Sequence, residues 1–225
     1  MLWDIDHTLI ESRGLGRTIY ERVFPAVTGQ PLRELATVHG RTELDIMHDT
    51  LQLHHVEPTD TNIRRLATAL VEGYHTAVDE LTTRGRTLPG VWQALEVLHS
   101  EAGFHQSVLT GNITNVARVK VEAFGLDRFL DLTIGAYGDD DRERAELVDI
   151  ARKRAEKQLA TAISVEQVVL IGDTPADVEA AIAAGTRIIA IASGAYTVED
   201  LRAAGAETTL PNLSNLTQLW QALAR

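Results

Sequence analysis

Leu2-Trp3-Asp4-Ile5-Asp6-His7-Thr8-Leu9 is the stretch on which the reading of this chain turns. Leu2 to Ile5 is an apolar run too short for anything but a strand, and Asp6 to Leu9 carries the chain off its end. Asp4 and Asp6 flank a single residue, so an extended backbone points both carboxylates to one side. A strand this close to the start suggests that a few residues precede Met1.

Working outward, the pattern from Gly14 to about Arg84 is helical. It comprises Leu15 to Val27, Pro31 to His39, Thr42 to Leu51 and a long stretch from Asp60 to Leu81. In the last of these Ile63, Leu66, Leu70 and Tyr74 recur at helical spacing, and Thr59-Asp60-Thr61 supplies an N-cap region. After Arg84-Gly85-Arg86 and Pro89-Gly90 helices and strands alternate. Strands are expected at His105 to Leu109, Leu132 to Ile134, Val168 to Ile171 and Arg187 to Ile191, with a short edge strand at Thr208 to Leu210. Helices are expected over Val91 to Ala102, Thr114 to Phe124, Glu143 to Leu159, Ala176 to Ala184, Val198 to Ala204 and Leu216 to Ala224. Short apolar strands separated by helices imply an α/β fold: a parallel sheet covered on both faces, three layers deep. The helical stretch interrupts that scheme after its first strand. Residues 1–13 and 86–225 therefore read as the core, and residues 14–85 as a helical cap inserted over the carboxyl edge of the sheet, where open parallel sheets bind ligands.

Composition narrows the function. The 32 acidic residues against 21 Lys and Arg give a formal charge of −11, which repels nucleic-acid backbones and anionic membranes. No basic stripe, signal core or membrane-length apolar run is present. The expected location is the cytoplasm, as a monomer or homodimer. The absence of cysteine removes thiolate metal sites and cysteine nucleophiles. An enzyme of this charge acting on a phosphorylated metabolite needs local positive charge, most simply a bound divalent cation.

Three strands end in residues whose chemistry converges. The first delivers Asp4 and Asp6. The second ends in Ser107-Val108-Leu109-Thr110-Gly111-Asn112, a hydroxyl and an amide beside free N–H groups at a helix start. The fourth ends in Gly172-Asp173-Thr174-Pro175-Ala176-Asp177. Singly each has an ordinary explanation, since Asp at a strand end is commonly a turn or cap and Thr110 could cap its helix. Together, at the ends of strands in one sheet, they place carboxylates where only a cation between them relieves their repulsion. Oxygen ligands without cysteine suit Mg2+. Asp4 can then attack phosphorus, while Asp6 protonates the leaving oxygen and later activates water. Thr110, Gly111 and Asn112 can hold the phosphoryl oxygens.

With these motifs the chain resembles the haloacid-dehalogenase-like hydrolase superfamily, in its phosphoglycolate-phosphatase-like branch with a helical cap. Asp4-Ile5-Asp6-His7-Thr8-Leu9 corresponds to the first motif, Leu109-Thr110-Gly111-Asn112 to the second, and Gly172-Asp173-Thr174-Pro175-Ala176-Asp177 to the fourth. The resemblance implies a Rossmann-like core with sheet order 5-4-1-2-3 and Asp4 as nucleophile with Asp6 as general acid and base. It also implies Mg2+ held by Asp4, the Asp6 carbonyl and Asp173, with Asp177 acting at one remove and Thr110 binding phosphate. The chain departs from the branch at its third motif, where a lysine followed by proline is usual. Here the region reads Gly138-Asp139-Asp140-Asp141-Arg142-Glu143-Arg144, and Arg144, with Arg142 as the alternative, is the expected substitute. Both could instead pair with neighbouring acids on a solvated helix start.

The resemblance implies a magnesium-dependent phosphomonoester hydrolase acting on a small phosphorylated metabolite, with phosphoglycolate the family-level candidate. Asp6 argues against a dehalogenase, whose leaving halide needs no proton. The three lysines, Lys120, Lys153 and Lys157, all lie outside residues 14–85, so a phosphonate-cleaving Schiff base in the cap lacks its amine. A sugar-phosphate mutase would keep the same core residues, and a non-catalytic binding domain would be expected to lose Asp4 or Asp6. In the cap loop His39-Gly40-Arg41-Thr42-Glu43, Arg41 or Thr42 could reach a second polar group of the substrate. Alternatively Arg41 is solvated and Thr42 caps the following helix.

Overall fold

The computed structural model describes residues 1–224. In chain order its elements are β1 (Leu2–Trp3), β2 (Ile10–Glu11), α1 (Leu15–Thr28), α2 (Glu43–Leu53), α3 (Asp60–Thr76), α4 (Val78–Arg84), β3 (Arg86–Thr87), α5 (Val91–Ser100), β4 (Ser107–Val108) and α6 (Thr114–Ala123). There follow α7 (Arg144–Leu159), β5 (Val169–Gly172), α8 (Pro175–Ala184), β6 (Arg187–Ile191), α9 (Val198–Ala203), β7 (Thr209–Leu210) and α10 (Leu216–Leu223).

The main sheet runs β4-β1-β5-β6-β7 and is parallel throughout. Beyond β4 the backbone of Ala136 pairs with Leu109 as a single bridge: its N–H donates to Val108 at 3.0 Å, and Thr110 N–H donates to its carbonyl at 3.1 Å. Taking that bridge as the third strand gives the order 5-4-1-2-3, with β7 as an added edge. Trp3, Ile5, Val108, Ile171 and Ile189 meet in the buried core. The indole of Trp3 is fully enclosed, and its Nε1–H donates to the Gln106 side chain at 3.2 Å, which satisfies its one polar atom.

The inserted helices leave and rejoin the core through a second, antiparallel pair, β2 with β3, whose register joins Ile10 to Thr87 and Glu11 to Arg86. An ion pair of 2.8 Å between Arg86 and Glu11 closes the same junction. The insertion packs around Leu15, Ile19, Phe24, Leu66 and Leu70. Ile113, just before α6, and Val116 and Val119 of α6 belong to that apolar cluster. The cap therefore rests on α6.

The expected helix over residues 31–39 is irregular chain that ends in a turn instead. Its backbone donors go to side chains of α2 and the residue after it: Arg33 N–H to His54 Nε2 at 2.8 Å and Ala36 N–H to Thr50 Oγ1 at 3.2 Å. The long helix expected from Asp60 to Leu81 breaks at Ala77 into α3 and α4, with the Thr59 cap in place through Asn62 N–H. The strand expected at Leu132 to Ile134 is a turn, with sheet pairing deferred to Ala136. Asp131 accepts from both the N–H and the hydroxyl of Thr133, so this segment is bent by a local side-chain bond. The strand expected over His105 to Leu109 shrinks to β4.

Candidate active site

The ends of β4, β1 and β5 lie side by side and bring Thr110, Asp4 and Asp173 to one edge of the sheet. The backbone N–H of Asp4 donates to Ile171 at 2.8 Å. After Asp6 the chain turns sharply: His7 adopts a left-handed backbone with φ of 59°, its N–H donates to Ile10, and its carbonyl accepts from Ser193 Oγ. This tight turn delivers two carboxylates to one cavity of about 320 Å3 between core and cap, lined by Asp4, Asp6, Thr110, Asn112, Arg144 and Asp173 among others. A larger cavity, of about 570 Å3, opens beside Met1, Leu2 and Val169 at the start of the strands, where Arg152 is paired with Asp149 and Glu156. The acids are gathered at the other end.

Carboxylate oxygens of Asp4, Asp173 and Asp177 lie within 4.8 Å of one another, and all three residues are buried. Burial pushes Asp4 up to about 7, with Arg144 opposing and the charges of Asp177 and Asp6 adding to it. Burial, with Asp4 and Asp177 beside it, pushes Asp173 up to about 9. Asp177 is committed elsewhere. One of its oxygens accepts from the N–H and hydroxyl of Thr174, closing a capping box at the start of α8, and the other accepts from Arg144.

Arg144, at the first turn of α7, donates through Nε and Nη2 to Asp177 at 2.9 and 2.6 Å and lies 3.1 Å from Asp4. Arg142 is on the outside, 3.6 Å from Asp45 and more than half exposed. Thr110 is fully buried, and its hydroxyl accepts from the Asn112 side chain at 2.9 Å. Gly111 presses against the cap: its carbonyl accepts from Glu43 N–H at 2.7 Å, and a Cβ there would fall 2.2 Å from the Arg41 carbonyl oxygen. Arg41 lines the cavity, but its guanidinium pairs with Asp49 at 2.8 Å. Thr42 occupies the N-cap position of α2 without making a capping bond, and its buried hydroxyl has no partner.

Four residues of this wall escape a reading of motifs: Lys120, Glu43, Tyr20 and Tyr74. Lys120 Nζ lies 2.9 and 2.7 Å from the two oxygens of Asp6 and 2.7 Å from Asn112 Oδ1. Burial pushes Asp6 up, but the Lys120 ammonium and the Asn112 amide more than offset it and hold the carboxyl below its ordinary value. Tyr20 donates to Glu43 at 2.6 Å, and burial raises Glu43 despite that bond. No local sequence signal marks Lys120. Arg118 and Glu122 flank the Val119-Lys120-Val121 segment in sequence, so only the burial of Lys120 in α6, where an unpaired ammonium is rarely tolerated, sets it apart.

A divalent cation fits these residues. The donors are all oxygens, their mutual repulsion is only partly offset by Arg144, and hard cations take such donors. Gly194 leaves room on the far side of Asp173, since a Cβ there would stand 1.9 Å from Asp173 Oδ2. Asp4, Asp173 and the Asp6 carbonyl are the groups that could hold the ion.

A parallel sheet with buried acids at its carboxyl edge, roofed by an inserted helical cap, defines a Rossmann-like α/β core with a capped acidic site. A family model described as haloacid dehalogenase-like hydrolase matches residues 1–181, and one for HAD-hydrolase-like sequences matches residues 144–219. The chain belongs to the haloacid dehalogenase-like hydrolases. Among solved structures it is similar to a HAD hydrolase, family IA, variant 3 from Entamoeba histolytica, with 20% identity, a TM-score of 0.74 and coverage of 100% of this chain and 98% of that one. It is also similar to CbbY from Rhodobacter sphaeroides in complex with phosphate, at 24% identity, TM-score 0.72 and coverage of 96% and 94%. A predicted phosphoglycolate phosphatase from Haemophilus somnus matches at 17% identity, TM-score 0.69 and coverage of 97% and 96%. No curated protein sequence is similar enough to count as a match.

Proposed function

We propose that the protein hydrolyses phosphate monoesters of small metabolites with Mg2+ bound, through an aspartyl-phosphate on Asp4. The observation that carries this reading is the buried group formed by Asp4, Asp173 and Asp177, with Asp6 two residues from Asp4 in the same cavity. Residues 14–85 serve as the cap and the rest of the chain as the catalytic core. Asp4, the Asp6 carbonyl and Asp173 hold the cation, which when bound neutralises the carboxylates and the incoming phosphate.

Asp4 attacks phosphorus as the ester P–O bond breaks, and Asp6, which takes up a proton when the anionic phosphate binds beside it, gives that proton to the departing oxygen. Water then attacks the phosphoenzyme, returning a proton to Asp6 and freeing Asp4. Thr110 and the amides of Gly111 and Asn112 hold phosphoryl oxygens. Arg144 supplies the fixed positive charge that the usual third-motif lysine supplies in related enzymes, and Asp177 acts by orienting Arg144. Phosphoglycolate is the family-level candidate substrate. Its carboxylate would meet Arg41, which must then exchange Asp49 for the substrate.

Phosphate release from a panel of metabolite monoesters, with Mg2+ and with excess chelator, tests the reading. Asp4→Asn is expected to abolish turnover while the fold survives, and Asp6→Asn to leave slow turnover with phosphoenzyme accumulating. Full activity in chelator, or substantial turnover by Asp4→Asn, would overturn it.

A further inference from the structure

We propose that Lys120, on the core helix that carries the cap, is the positioning residue for proton transfer by Asp6. The inference rests on the phosphatase reading above and assigns one more residue to it.

An ammonium has three N–H donors, and three acceptor atoms surround this one: Asp6 Oδ1 at 2.9 Å, Asp6 Oδ2 at 2.7 Å and Asn112 Oδ1 at 2.7 Å. Asn112 closes the figure by donating from Nδ2 to Asp6 Oδ2 at 2.7 Å. All three donors of Lys120 are thus committed, which leaves none for a substrate oxygen. Its side chain is only 5% exposed, and the ring of Tyr74 from the cap lies 5.2 Å from Nζ. A buried ammonium is retained where its charge is compensated, and here the compensation is the carboxylate that stands two residues after the nucleophile.

The arrangement has a consequence for one step. As the Asp4 oxygen–phosphorus bond forms and the ester P–O bond breaks, the electron pair goes to the leaving oxygen. A proton passes to that oxygen from Asp6, which is left as a carboxylate. Lys120, with Asn112, fixes the direction of both Asp6 oxygens, so it holds the proton-transferring carboxyl in one orientation without touching substrate. The benefit scales with the need for the proton. An alkoxide leaving group needs it, and a nitrophenolate does not.

The test is the kcat/KM of Lys120→Met and Lys120→Arg on an alkyl ester, glycerol phosphate, and on an aryl ester, p-nitrophenyl phosphate, with melting temperatures recorded alongside. Because kcat/KM reports steps up to loss of the alcohol, it isolates the proton transfer from later phosphoenzyme hydrolysis. For Lys120→Met the alkyl-to-aryl ratio is expected to fall about 30-fold or more. Lys120→Arg, which keeps the charge, is expected to recover part of the ratio. An unchanged ratio would overturn the proposal, whether both esters lose equally or neither loses. If Lys120→Met does not fold, Lys120→Arg decides: an alkyl-to-aryl ratio equal to wild type overturns the proposal, and a lowered ratio supports it.

Asp6→Asn on the same pair separates the two levels. A lowered ratio in Asp6→Asn with an unchanged ratio in the Lys120 variants defeats this inference alone. An unchanged ratio in Asp6→Asn defeats the proton-transfer role of Asp6, and the role of Lys120 falls with it.

Discussion

Arg144 and Asp177 form a two-pronged contact from the first turn of α7 to the first turn of α8, at 2.9 and 2.6 Å on a single carboxylate oxygen. The contact aims the guanidinium at Asp4, 3.1 Å away. It joins two helices whose starts lie 31 residues apart in sequence and gives Asp177 the task of orienting Arg144.

If this guanidinium offsets charge on the transferring phosphoryl group, Arg144→Ala should lower kcat/KM by about 100-fold or more, a size common for one preorganised electrostatic contact. Arg144→Lys should regain part of the loss, because the charge returns without the fork. Arg142→Ala should cost less than about tenfold, since its partner is Asp45 at the surface. Steady-state kinetics of the three variants on one ester check the ranking.

The raised carboxyls give the metal-free protein a distinctive pH dependence. Asp4 titrates at about 7 and Asp173 at about 9 in the folded chain, against about 4 when unfolded. Between these values the folded protein holds protons that the unfolded chain has released. The associated stability is fully present below about pH 4 and is lost as pH rises through 7 and then 9. In chelator the melting temperature should fall from pH 5 to pH 9. Added Mg2+ competes with those protons, so its stabilising increment should be larger at pH 8 than at pH 5. Thermal melts at the two pH values, with and without Mg2+, measure this directly, and an increment independent of pH would contradict it.

Gly111 sets how closely the cap approaches the core. With 2.2 Å between a new Cβ and the Arg41 carbonyl, Gly111→Ala must displace the backbone from which Glu43 donates to Gly111. Misplacing the cap wall by about 1 Å should cost roughly 100-fold in kcat/KM. The sheet core lies outside this contact, so the variant should still fold cooperatively. Kinetics and a thermal melt on the same preparation distinguish a displaced cap from a damaged core.

Two cap arginines line the cavity, Arg17 and Arg41. Arg17 pairs with Glu21 and Arg41 with Asp49, and Arg41 is the one that would meet a substrate carboxylate. Asp49→Asn should free Arg41 and lower KM for phosphoglycolate by about two- to fivefold relative to glycerol phosphate. A half-exposed ion pair is worth no more than about 1 kcal/mol, which sets that size. Equal changes for the two esters would indicate that Arg41 does not meet the leaving group.

The sequence by itself determined the α/β core, the helical insertion after the first strand, and the strand ends that carry Asp4, Thr110 and Asp173. These depend on local apolar runs and turn residues, which are written in consecutive positions. It also singled out Arg144, with Arg142 as the alternative, as the cation near the site, but it held no contact to decide between them. The choice depends on which one reaches Asp177, and that is set by how α7 packs on α8. Residues 31–39 have helical composition, yet their backbone donors are taken by His54 and Thr50, partners that only the folded cap provides. Lys120 sits between Arg118 and Glu122 in an alternating charged and apolar stretch, and nothing local sets it apart or connects it to Asp6, 114 residues away. Tertiary structure decided that pairing, because a buried ammonium must find its counter-charge in space, and chain order does not say where that will be.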